Sequence, residues 1–192
     1  MPSRIDILLD FLKEIEKTNC IERKTFHSDL KRPESDAEHC WHLAMFLILF
    51  QKDLPKMDFL KTLKMVLIHD LVEIYAGDTF LFDHQGRKTQ KAREKRAAKK
   101  LFSKLPKDLK KEFTDLFNEF EAIKTTESKI AKSLDKLQPI MQGILAGGVL
   151  WKKYKITEGL IHNHKHKYML HDPTILSIYQ KLIQEAKVKK FI

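Results

Sequence analysis

The sequence predicts an all-α fold. Only six glycines and six prolines occur in 192 residues, too few for a chain of tight β turns. Apolar residues recur at helical intervals, and capping residues stand just ahead of the periodic stretches. A chain of this length fits one globular domain, residues 1–192, with a sizeable core.

The elements follow in order. Ile5, Leu8, Leu9, Leu12 and Ile15 share one helical face, so a first helix is expected from about Ser3 to Lys17. Thr18 to Glu34 is polar and without clear period, and reads as a loop with one short turn. Ser35 or Asp36 caps a second helix reaching about Lys52. Asp58 caps a third that runs to about Ala76, where Gly77 stops it. Asp78 to Gly86 is a loop, and Lys88 to Leu105 a strongly basic helix. Pro106 opens another helix, ending near Lys124. Thr126 and Ser128 precede a long helix that ends at Gly147-Gly148, and two shorter ones follow, near Thr157 to Leu170 and Pro173 to Lys187. That makes about eight helices, with no internal repeat, linker or low-complexity segment.

Lys and Arg number 36 against 26 Asp and Glu, a formal charge of +10. Such a surface attracts phosphorylated partners, but a lysine-rich proteome would produce it too, so charge alone decides nothing. The longest apolar run, Leu43 to Phe50, is too short to span a bilayer, and Asp6 and Asp10 interrupt any signal-peptide pattern. Cys20 and Cys40 make no disulfide framework. The expectation is a soluble cytoplasmic protein with no membrane partner.

The chemistry concentrates on three of the expected helices. From Met65 to Ala76 every residue is apolar, counting Tyr75 so, except His69, Asp70 and Glu73. On a helical wheel these three lie at roughly 0°, 100° and 40°, one narrow arc of an otherwise apolar helix. A helix of that kind is buried on most sides, and buried charges must be paired or bound to a metal. The second helix sets Glu38, His39 and His42 among apolar neighbours, and the long helix places Asp135 between Leu134 and Leu137 with Gln138 a turn further on. Pro139 cannot donate to the Asp135 carbonyl, which predicts a helix bent or loosened there.

His39, His69-Asp70 and Asp135 in this order resemble the H…HD…D signature of the HD superfamily of phosphohydrolases. The local words Asp36-Ala37-Glu38-His39-Cys40-Trp41-His42, Ile68-His69-Asp70-Leu71-Val72-Glu73, Ala76-Gly77-Asp78-Thr79 and Leu134-Asp135-Lys136-Leu137-Gln138-Pro139 are similar to its 5′-deoxynucleotidase branch, over a motif core from about Arg23 to Pro139. The resemblance implies an all-helical HD domain in which His39, His69, Asp70 and Asp135 bind one divalent metal. Two imidazoles and two carboxylates suit Mn, Co, Fe, Ni or Zn. The metal would lower the pKa of a water and screen the phosphate. Glu73, a turn from His69, is the candidate to position or deprotonate that water. By resemblance Asp78 stands near the substrate, holding a sugar hydroxyl or assisting proton transfer, and Arg23 contacts the phosphate, with Arg32 a weaker alternative.

The implied reaction is hydrolysis of a phosphomonoester, foremost a nucleoside 5′-monophosphate, by a homodimeric enzyme. Rivals are phosphodiester or nucleoside triphosphate cleavage, or a nucleotide- or nucleic-acid-binding protein with a structural metal. Some relatives follow the phosphate arginine with a tryptophan, whereas here Lys24, Thr25 and Phe26 follow, so the choice between ribose and deoxyribose stays open. His42 reads as a core or supporting histidine, and Glu38 as a helix N-terminal charge or supporting group. His162, His164, His166 and His171 read as a solvated basic turn. The basic helix carrying Lys88, Lys91, Arg93, Lys95, Arg96, Lys99 and Lys100 lacks interleaved aromatics, so it reads as a solvated face and nucleic acid is not an expected partner.

Overall fold

In the computed structural model, which describes residues 2–192, the chain is a bundle of helices with one small hairpin. Helix α1 spans Arg4–Ile15, capped by Ser3 in a reciprocal capping box with Asp6, and a 3₁₀ turn, Glu16–Cys20, follows it. Helix α2 spans Asp36–Leu49, and Ser35 caps it in the same way with Glu38. Helix α3, Phe59–Ile68, is capped by Asp58. A short α4, Glu73–Ala76, precedes the long basic α5, His84–Phe102, capped by Asp83. Then come α6, Lys107–Ala122, and α7, Thr126–Leu145. The chain closes with short α8, Val149–Lys153, then α9, Glu158–Lys165, and α10, Pro173–Val188.

Helix α7 is the centre of the bundle, touching α2, α3, α6 and α10. Its Ile130, Leu134 and Leu137 are completely buried, as are Leu43 and Leu47 of α2, Val66 of α3 and Leu101 of α5. Each such aliphatic side chain withdrawn from water contributes about 1.5–3 kcal/mol. Where α7 ends, Gly143 lets the Trp151 indole lie against the helix: a Cβ at Gly143 would stand 2.4 Å from that ring.

Two expected elements take another form. Thr18 to Glu34 is not a loop: Glu22–Phe26 (β1) and Pro33–Ser35 (β2) pair antiparallel, with Glu22 opposite Ser35 and Phe26 opposite Pro33. The half-buried side chains of β1 are Arg23, Thr25 and Phe26, so polar residues fill both faces until the last position and leave no apolar period to read. The third helix does not run through to Ala76. It ends at Ile68, and the backbone tightens: Leu71 N–H donates to Ile68 at 3.1 Å, Glu73 to Asp70 at 2.9 Å and Ile74 to Leu71 at 3.3 Å. These are i→i+3 bonds, and they set residues three apart in register, Asp70 with Glu73. Gly77, at φ +72°, turns the chain out of α4.

Candidate metal centre and its cavity

His39 comes from α2, His69 and Asp70 from the tightened turn after α3, and Asp135 from the middle of α7. The structure brings all four together. His39 Nε2 lies 3.5 Å from Asp135 Oδ1 and 3.8 Å from Asp70 Oδ2. His69 Nε2 lies 3.2 Å from Asp70 Oδ1 and 4.0 Å from Asp135 Oδ1. Donors on one transition ion, at bonds of about 2.1 Å, stand about 3.0–3.5 Å apart at right or tetrahedral angles and about 4.2 Å apart when opposed. The four separations fall in that span.

The imidazoles are aimed from behind. His39 Nδ1 donates to Gln138 Oε1 at 2.8 Å, and His69 Nδ1 to the Val66 carbonyl at 3.0 Å. Each ring therefore presents Nε2 to the centre, and both Nε2 atoms are buried without a hydrogen-bond partner. Unpartnered buried nitrogens are rare and need an explanation; two converging on two carboxylates fit a cation. Burial, with Arg23 close by, pushes His39 down to about 4, which keeps it neutral. Burial opposes the charge on His69 too, but Asp70 overrides it and holds His69 well above its ordinary value.

A ring of supporting contacts surrounds the four. Gln138 Nε2 donates to Glu34 at 2.5 Å and lies 3.3 Å from His42 Nδ1. Glu34 also accepts from Thr25 Oγ1 at 3.0 Å. Arg23 Nη1 donates to Asp36 at 3.0 Å and Asp70 at 2.9 Å, so the hairpin is tied directly to the site. Asp36, Glu73 and Asp78 each bring a carboxylate oxygen within 4.8 Å of the others. Burial and the charges of Asp70 and Asp36 push Glu73 well above the usual carboxylate range, and burial with Asp70 pushes Asp36 up to about 7. Burial raises Asp78 as well.

These groups lie at or behind the wall of a cavity of about 460 Å³. Arg23, His69, Asp70, Glu73, Asp78 and Asp135 line it together with Phe80, Phe82, Trp151 and Ile161. It combines a charged region with an apolar one, the mixture that holds a small molecule with one ionic end.

The other candidates fall elsewhere. Arg32 pairs with Glu38 at 2.5 Å on the exposed surface and does not line the cavity. Glu38 is the capping-box carboxylate of α2, and His42 is a supporting group behind His39. His162 and His166 stack at 3.9 Å on α9 and the turn after it. Arg93 of the basic helix is not a solvated side chain: it donates to the Ala76 carbonyl and, at 2.7 Å, to Thr79 Oγ1, pinning the loop that carries Asp78. Sequence reasoning missed the supporting roles of Glu34, Asp36 and Gln138. The spacing of Gln138, three residues after Asp135 on one helix face, was the available signal.

Comparison with known proteins agrees with this geometry. The HD domain family matches residues 15–173. The human protein named 5′-deoxynucleotidase HDDC2 is 29% identical over 136 residues, 70% of this chain and 66% of its own length. The namesake from Danio rerio is 28% identical over 188 residues, covering 94% of this chain and 88% of that protein. The match thus spans just under two thirds of the human relative but nearly the whole of the fish one. A solved structure from Magnetospirillum magnetotacticum, described as a "Predicted metal-dependent phosphohydrolase", superposes with a TM-score of 0.91 at 32% identity, covering 99% of this chain and 96% of that one. With most of its length matched, His39, His69 and Asp70 clustered and Asp135 within 4.0 Å of both imidazoles, this chain belongs to the HD domain family.

Proposed function

We propose that this chain is a metal-dependent phosphomonoesterase that hydrolyses nucleoside 5′-monophosphates to nucleoside and phosphate. The observation that carries the reading is the pair of buried, unpartnered Nε2 atoms facing two carboxylates beside a cavity that is polar in one region and aromatic in another. Likeness to proteins named 5′-deoxynucleotidase supports a nucleotide substrate and favours the deoxyribose form.

In this reading His39, His69, Asp70 and Asp135 hold one divalent cation, Mn, Co, Fe, Ni or Zn by their donor chemistry. That cation supplies positive charge at the phosphate and acidity to a water. Glu73, which lines the cavity beside His69 and Asp70, takes a proton from the attacking water. Asp78, held by the loop that Arg93 pins, accepts from a sugar hydroxyl or assists proton transfer. Arg23 is shared between Asp36 and Asp70. Arg23 Nε is buried without a hydrogen-bond partner, so the guanidinium keeps donor capacity for a phosphate oxygen. Phe80 and Phe82, with ring centroids 5.4 Å apart, offer apolar faces to the base. No described helix is long and apolar enough to cross a membrane; a cytoplasmic homodimer belongs to the same reading, and light scattering tests the dimer.

The main test strips metal with a chelator, restores Mn, Co, Ni, Zn and Mg separately, and follows phosphate release from ribo- and deoxyribonucleoside monophosphates. Activity should return with a transition ion, disappear in Asp70→Ala, and disappear in Glu73→Ala while metal is retained. Full activity in the stripped protein or in Glu73→Ala would overturn the mechanism.

A further inference from the structure

The cations around the inner cavity are not equivalent. Arg23 is held by Asp36 and Asp70, Lys132 pairs with Glu121 at 3.0 Å, and Lys136 pairs with Asp135 at 2.8 Å. Lys165, from the last turn of α9, also lines the cavity. It is only 8% exposed, and among the described residues it has no carboxylate partner. Its Nζ donates one hydrogen bond, 3.1 Å to the carbonyl of Lys136. An ammonium has three donors, so two remain for which the protein supplies nothing. Burying an uncompensated ammonium is unfavourable unless something pairs with it. Lys136 follows Asp135 directly, and Lys165, Lys136 and Asp135 all line the one cavity, so the ammonium shares its wall with the candidate ligands. Burial, with Lys136 and Arg23 nearby, pushes Lys165 down to about 7, and an anion arriving there would restore its charge.

We propose that Lys165 is a substrate-binding residue whose ammonium takes a non-bridging oxygen of the scissile phosphate, delivered from α9 while Arg23 is delivered from β1. This rests on the phosphomonoesterase reading above. It also gives the histidine-rich segment a purpose in its lysine: His162 and His166 stack on each other, whereas Lys165 between them in sequence turns inward.

The test uses the full chain loaded with one equivalent of manganese. Binding of inorganic phosphate is measured by calorimetry, and inhibition by the uncharged nucleoside product is measured alongside. Lys165→Met should weaken phosphate binding by about tenfold or more, leave manganese content and nucleoside inhibition unchanged, and be partly rescued by Lys165→Arg. Lys165→Gln serves as the second uncharged variant, and melting temperatures show that each one folds. Unchanged phosphate affinity in both uncharged variants overturns the proposal, as does a loss confined to the nucleoside. The two readings fail separately. If the wild type binds phosphate through Lys165 but hydrolyses no monophosphate, only the activity assignment falls. If it hydrolyses monophosphates while the variants bind phosphate normally, only the lysine assignment falls.

Discussion

Gln138→Leu is the substitution that most directly separates aiming a proposed metal ligand from being one. Gln138 touches none of the reacting groups. Its Oε1 accepts from His39 Nδ1 at 2.8 Å, and its Nε2 donates to Glu34 at 2.5 Å. Leucine nearly preserves the volume and removes both contacts. His39 then loses the acceptor that fixes its tautomer and ring plane, in a position with no solvent exposure. Removing an outer partner of a ligating histidine typically costs 10–100-fold in metal affinity, about 1.4–2.7 kcal/mol. The buried His39 N–H and Glu34 oxygen left unpaired destabilise the metal-free fold by about 1–3 kcal/mol each, less where the ring can turn. Competition with a chromogenic chelator for Co or Mn measures the first quantity, and urea unfolding of the stripped protein measures the second. Metal affinity within twofold of wild type, alongside reduced stability, would refute the reasoning. It would show that packing alone orients His39.

Three further outcomes are expected. Gly143→Ala places a Cβ 2.4 Å from the Trp151 ring, so the indole must shift; a stability loss of about 1–3 kcal/mol by thermal melting is expected, with a rise in KM because Trp151 lines the cavity. Ser35→Ala removes the side-chain cap of α2 and one half of its capping box, and should cost about 1 kcal/mol in urea unfolding. Glu14 is bonded by Lys104, Tyr75 and Lys17, which lower it from 4.5 to about 2. A depressed folded pKa contributes stability above about 4.5 that is lost as pH falls through about 2. The pH dependence of urea midpoints over that window should become shallower in Tyr75→Phe, which deletes the 2.7 Å bond to Glu14; an unchanged slope would remove Tyr75 from the account.

The sequence was most legible where local chemistry and tertiary demand agree. Ser35 and Asp58 mark the starts of α2 and α3 because each supplies a side-chain oxygen to an otherwise orphaned N–H. His39, His69, Asp70 and Asp135 stood out because ionisable groups on apolar helices must converge on something. Legibility fails where long-range partners decide. Arg23 and Thr25 form a strand because Glu34, Asp36 and Asp70 receive them, and none of those partners is visible in the strand itself. The helix ending at Ile68 is not announced by glycine or proline; no local signal marks the change to i→i+3 bonding. Lys165 and Arg93 read as two more basic residues among many, since only tertiary packing shows that Lys165 has no carboxylate partner among the described residues and that Arg93 ties down a loop.

The four converging side chains also have a mechanical meaning. They come from α2, from the turn after α3 and from α7, elements distant in the chain that meet at one point. A cation held there would act as a removable cross-link, closing two long loops of the polypeptide at once. Bound only by the folded chain, it would add a stabilisation that grows with the logarithm of its free concentration. Unfolding temperature would then report the metal supply, and a cell starved of the ion would hold this protein in its most easily unfolded form.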